Sequence, residues 1–124
     1  MLTAGAARAS IEPPLPHDLQ GFVRRPVSAT GHTPGDPLSI TAAVFEDDGR
    51  GVVVLAADLA GVDTEAADRI RNAVADALPI RADDVLINCS HSHAAPWLRS
   101  DEAKLGGGHD HYTPVERAYA QRLP

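Results

Sequence analysis

The chain has 124 residues, 44% of them hydrophobic and 4% aromatic, with a formal net charge of −6. That length suits one domain with a sizeable core filled largely by alanine and valine, and the acidic balance argues against a nucleic-acid partner, since Arg24-Arg25 is the only basic pair. No apolar run approaches the roughly 18 residues of a membrane span, no signal peptide opens the chain, and the lone Cys89 precludes an internal disulfide, so a cytoplasmic location is expected.

Residues 3–11 predict a short first strand, ended by Pro13, Pro14 and Pro16. From 13–37 the chain is rich in Pro, Gly and polar residues and reads as a long irregular loop, which in a compact domain is usually functional or mobile. His17 and His32 sit in that loop without an evident partner. Residues 39–46 alternate as a strand should, and 52–57 form a continuous apolar run. Between them Asp47-Asp48-Gly49-Arg50-Gly51 carries hairpin chemistry, because Asp-Gly tolerates positive φ.

Residues 63–78 predict a helix. Ala66, Ala67, Ile70, Ala73, Val74, Ala77 and Leu78 recur at three-to-four spacing, Asp63 suits the N-cap, and Pro79 ends the pattern. Strand, helix and strand together imply a right-handed crossover, so 52–57 and 85–88 should lie parallel in one sheet. Residues 97–112 read as a polar loop, and 114–123 as the start of a helix. The expected fold is therefore α/β: a mixed sheet with a β-hairpin and a right-handed βαβ crossover. With neither a cap nor a closing strand at the end, the chain reads as the N-terminal segment of a larger catalytic domain.

The chemistry should gather where the parallel strands end, since ligands in open α/β sheets collect beyond their carboxyl ends. His91 and His93 follow the apolar run 85–88, and in extended backbone residues i and i+2 share a face, so both imidazoles can meet one pocket. An H-x-H pair is also a common surface feature, and only its place after a buried strand favours a site. Asp58 follows the run 52–57, close enough to ligate a metal or to fix an imidazole tautomer; a turn acid before Gly61 is the equal alternative. His109-Asp110-His111 follows three glycines, and His91, His93, His109 and His111 together can in principle close a zinc site. Ser90 and Ser92 lack the G-x-S-x-G elbow of a serine nucleophile, and Cys89 reads as a small core residue. The rival readings are a non-catalytic domain binding metal through those four histidines, and an inert truncated remnant.

One series of residues points further. Ala4-Gly5-Ala6-Ala7 with Ile11-Glu12-Pro13-Pro14, Leu19-Gln20-Gly21-Phe22 before Arg24-Arg25-Pro26, Asp36-Pro37-Leu38, Asp58-Leu59 and Leu86-Ile87-Asn88-Cys89-Ser90-His91-Ser92-His93 follow one another in order. This series resembles the N-terminal part of the neutral/alkaline (non-lysosomal) ceramidase family, zinc amidases that cleave the N-acyl bond of ceramide, along nearly the whole chain. The last segment stands where the family has T/S-H-T-H. The chain departs from the family at Ala94-Ala95-Pro96, where Ser-Gly-Pro is usual, at Ser10, where an acid is usual, and at His32-Thr33-Pro34-Gly35. The resemblance implies that His91 ligates Zn2+, that His93 is its active-site neighbour, and that a zinc-activated water attacks a small-molecule or lipid amide. It also implies that a second histidine, a glutamate and a tyrosine complete the zinc shell from downstream of Pro124, so residues 1–124 alone should be inactive.

Overall fold

The computed structural model describes residues 1–15, 17–19, 27–29, 37–99 and 114–123. Strands β1 (Thr3–Ser10), β4 (Ser39–Asp47), β5 (Arg50–Ala57) and β7 (Val85–Cys89) form one mixed sheet in the order β1-β4-β5-β7. The pairs β1/β4 and β4/β5 are antiparallel, whereas β5 and β7 run parallel, Val53 opposite Val85 through Ala57 opposite Cys89. Helix α1 (Thr64–Ala77) lies between β5 and β7 in the chain, and helix α2 (Pro114–Arg122) follows later. The fold is mixed α/β, and the expected parallel pairing of 52–57 with 85–88 is present.

Local chemistry explains each element. In the β4–β5 hairpin Asp48 and Gly49 take φ of 47° and 75°, the two positive values that a two-residue primed turn requires. Asp63 caps α1 by accepting from the Ala66 amide at 2.8 Å. Ala66, Ala67 and Ile70 are the helix face that is buried, beside Val53, Leu55 and Val85 of the sheet. The last helical turn departs from its apolar periodicity, because Ala77 and Leu78 are exposed. Leu78 turns extended ahead of Pro79, whose ring disfavours helical backbone in the preceding residue.

Alternation sorts β5 into two faces. Val53, Leu55 and Ala57 enter the core, which Leu59, Leu98, Ile11, Tyr119 and Ala120 complete. The other face carries Phe45, Val52 and Leu86, which are 40%, 47% and 58% exposed, so the described helix covers one side of the sheet only.

The expected first strand is present as β1, exposed along its whole length, and Ile11, just past it, enters the core. Two expectations are corrected. The 13–37 segment is not wholly irregular: β2 (His17–Leu19) and β3 (Val27–Ala29) pair as a short antiparallel ribbon. The segment after Pro96 does not begin as loop either, since β8 (Trp97–Leu98) pairs in parallel with β6 (Gly61–Val62). Two-residue strands show no alternation, which hides them from a periodicity reading.

Candidate functional site

The register of the sheet brings Ser10, Ser39, Ala57 and Cys89 to one edge, where β5 and β7 both end. The Ala57 carbonyl accepts from the Leu59 and Ser90 amides, each at 2.9 Å, so the segments leaving β5 and β7 are stitched together at their first residues. This is the shared edge on which Asp58, His91 and His93 were expected to meet.

His91 does not reach the edge in extended backbone. The strand ends at Cys89, and His91 adopts φ 57°, in the left-handed region that costs a non-glycine residue about 1 kcal/mol. The face-sharing argument for i and i+2 therefore fails, yet the two rings still meet, with centroids 5.3 Å apart and planes at 75°. The left-handed turn brings His91 Nδ1 to 2.6 Å from the Ala60 carbonyl oxygen. A carbonyl only accepts, so Nδ1 carries the hydrogen and the neutral ring keeps its lone pair on Nε2. Ala60 is held in turn, its amide donating to Pro96 O at 3.1 Å while Asp63 N–H donates to Leu98 O at 3.0 Å. Ser92 shapes the turn between the histidines and β8, its hydroxyl accepting from the Ala94 amide at 3.2 Å.

Asp58 occupies the expected edge, but its carboxylate turns to another task. Oδ2 accepts from the Ser39 amide at 3.1 Å and from the Ser39 hydroxyl at 2.9 Å, while Asp58 N–H donates to Ser39 O at 2.9 Å. The acid thus locks the start of β4 to the end of β5. Glu12 does the same one strand further along, accepting from the Leu38 amide at 2.6 Å. Cys89 packs against the core, and burial pushes its thiol above the ordinary value, which makes it inert near neutral pH.

Sequence reasoning missed Ser39, the Ala60 carbonyl, Gly61 and Trp97. The Trp97 ring stands edge-on to His91 at 6.4 Å and 85°. Being the single tryptophan of the chain, four positions after His93, was the one available signal. His109 and His111, like Arg24, Arg25 and His32, lie outside the described residues. Among the described residues no three His, Cys, Asp or Glu side chains converge as a metal cage. Two grooves among these residues, of about 870 and 410 Å³, lie at the opposite edge, by Val52, Asp84 and the hairpin. Both of these grooves lie away from His91 and His93.

No described helix is long and apolar enough to cross a membrane. No protein-family model, curated protein or solved structure matches the chain.

Proposed function

We propose that the chain is the N-terminal part of a zinc-dependent amide hydrolase of the neutral ceramidase type, acting on a small-molecule or lipid N-acyl amide. In this reading β5, α1 and β7 form a right-handed crossover, and the rest of the catalytic domain comes from downstream. The observation that carries the reading is the His91 hydrogen bond to the Ala60 carbonyl. Metal-held imidazoles use the far ring nitrogen in this way, anchoring it on a carbonyl or carboxylate so that the other is fixed toward the ion. The donor set fits zinc in part, because a catalytic site needs about three protein ligands and His91 is one. Zinc, when bound, supplies Lewis acidity and a water of lowered pKa.

The remaining work falls to the chain's own groups. His91 would hold the metal through Nε2, with its ring orientation fixed by Ala60. His93, edge-on beside it, would orient the amide and move a proton. Asp58 would act at a distance, by holding β4 against the segment that carries Ala60.

The test uses a chain that carries residues 1–124 followed by the downstream ligands, assayed for zinc content and N-acyl amide hydrolysis. His91→Ala should lose both zinc and turnover. His93→Ala should keep zinc and lose about a hundredfold in rate, the range of a general acid or base. If His93→Ala loses the metal while His91→Ala keeps it, the two roles are reversed. If neither variant changes metal content or rate, the proposed function fails.

A further inference from the structure

We infer that Trp97, seated on Gly61, is a positioning residue that braces the His91 imidazole; its bearing on catalysis rests on the function proposed above. Gly61 and Trp97 face each other across the β6/β8 pair. A Cβ added at Gly61 would lie 2.9 Å from Trp97 Cε2 and 3.0 Å from Cζ2, so the indole rests on bare backbone that only glycine leaves clear. The Arg99 guanidinium carbon lies 5.7 Å from the indole centroid, a second contact that holds the ring.

What the indole does with that seat is visible at His91. The two rings meet at 6.4 Å and 85°, inside the range of favourable edge-to-face pairs. A single hydrogen bond from Nδ1 leaves the imidazole free to swing about that bond, and a ring standing edge-on opposes the swing. Gly61 also follows Ala60 directly, so one short segment supplies both the carbonyl that orients His91 and the floor under the ring that braces it. The indole's own polar group contributes nothing here. Trp97 Nε1 is buried and has no hydrogen-bond partner among the described residues, an arrangement that ordinarily counts against a fold. The ring is kept for its shape.

That combination gives the inference a signature that a merely structural tryptophan would not give. Trp97→Phe removes the unsatisfied N–H, so the fold should survive, but the shorter ring cannot span from Gly61 to His91. Gly61→Ala leaves Trp97 intact and pushes it off its seat. The experiment is long-range 1H–15N correlation of the 124-residue chain with and without added zinc chloride. Wild type should show His91 almost wholly as the Nδ1–H tautomer, with nuclear Overhauser contacts from the indole to its ring protons. Both variants should drift to a mixture of tautomers and should raise the zinc concentration that half-shifts Nε2 by about tenfold.

Wild-type tautomer and wild-type zinc response in either folded variant overturn the inference. Absence of the indole contacts in wild type overturns it too, whether or not the variants fold. Should zinc leave Nε2 of wild type unmoved while the variants still scramble the tautomer, the bracing stands, and the metal-holding role of His91 is decided by the zinc content of the longer chain. The converse, an equal zinc shift in all three proteins with one tautomer throughout, leaves that role standing and removes Trp97 from it.

Discussion

The two ends of the β5/β7 pair are built on different terms. At the carboxyl end nearly every departing segment is tied by name: Ile11 N–H to Leu38 O, Leu38 N–H to Glu12, Ser39 to Asp58, Ser90 to Ala57, Ala60 to Pro96, and the Tyr119 hydroxyl to Ile11 O. The amino end has a groove of about 870 Å³ rimmed by Asp68, Arg71, Asp83 and Asp84, where Arg71 Nε donates to Val85 O at 3.2 Å and ion pairs such as Arg81–Asp83, at 3.0 Å, are exposed. Exposed pairs of that kind contribute little. His91 sits where the departing backbone segments are tied to one another. Strained backbone persists only in surroundings that fix it, so the left-handed His91 belongs to the carboxyl end for a physical reason.

One substitution at both ends gives the sharpest break. Leu59 is 2% exposed at the carboxyl end, whereas Leu86 is 58% exposed on the uncovered sheet face. Leu59→Ala should lower the unfolding free energy by about 3 kcal/mol in urea titration, the usual cost of truncating a buried leucine. Leu86→Ala should stay within about 0.5 kcal/mol. An equal loss at Leu86 would mean that another surface covers that face, and the contrast between the ends would vanish.

Asp58 comes next in size. Its carboxylate satisfies an amide and a hydroxyl of the buried Ser39, so Asp58→Ala strands both donors and should cost about 2 kcal/mol. Asp58→Asn keeps an acceptor oxygen and should recover most of that stability. Recovery of stability together with full loss of turnover in the longer chain of the proposed hydrolase would instead assign the acid a chemical role.

Much of this was legible in the residues. Asp-Gly between two apolar runs specifies its hairpin locally, and the Asp63 cap with Ala66, Ala67 and Ile70 specifies α1, because turn chemistry and helical period are short-range signals. The parallel pairing followed from the helix between its strands. The shared edge of Asp58 and the histidine segment was legible, and the geometry of their side chains was not. Nothing local says that Asp58 prefers Ser39, nineteen positions away, to a histidine. Nor does any pattern reveal that His91 leaves the strand conformation to reach the Ala60 carbonyl. β6 and β8, two residues each, are held by the chain around them. Position along an edge follows from topology, while side-chain direction is decided by long-range partners.

The smallest effect at neutral pH concerns Tyr119, which fastens α2 to the same edge by donating to Ile11 O. Tyr119→Phe removes one hydrogen bond and should cost about 1 kcal/mol. Its pH dependence is the more telling measurement. Burial, with the nearby charge of Glu12, pushes the phenol above its ordinary value, and Arg122 opposes this more weakly. The folded chain therefore keeps the phenolic proton to higher pH than the unfolded chain, whose tyrosine ionises near pH 10, as a free phenol does to within about a unit. The tyrosine's contribution is fully present below that pH. Above it, the unfolded state releases a proton that the folded state retains, so stability falls as pH rises, until the folded phenol ionises too. Urea midpoints measured upward from neutral pH should thus decline in wild type beyond about pH 10, and decline less in Tyr119→Phe. Because Ile11 adjoins Glu12, and Glu12 holds Leu38 beside Ser39, that decline should be accompanied by faster amide exchange at the carboxyl end than at the hairpin. Parallel loss of protection at both ends would mean that the ties of the carboxyl end do not act as a unit.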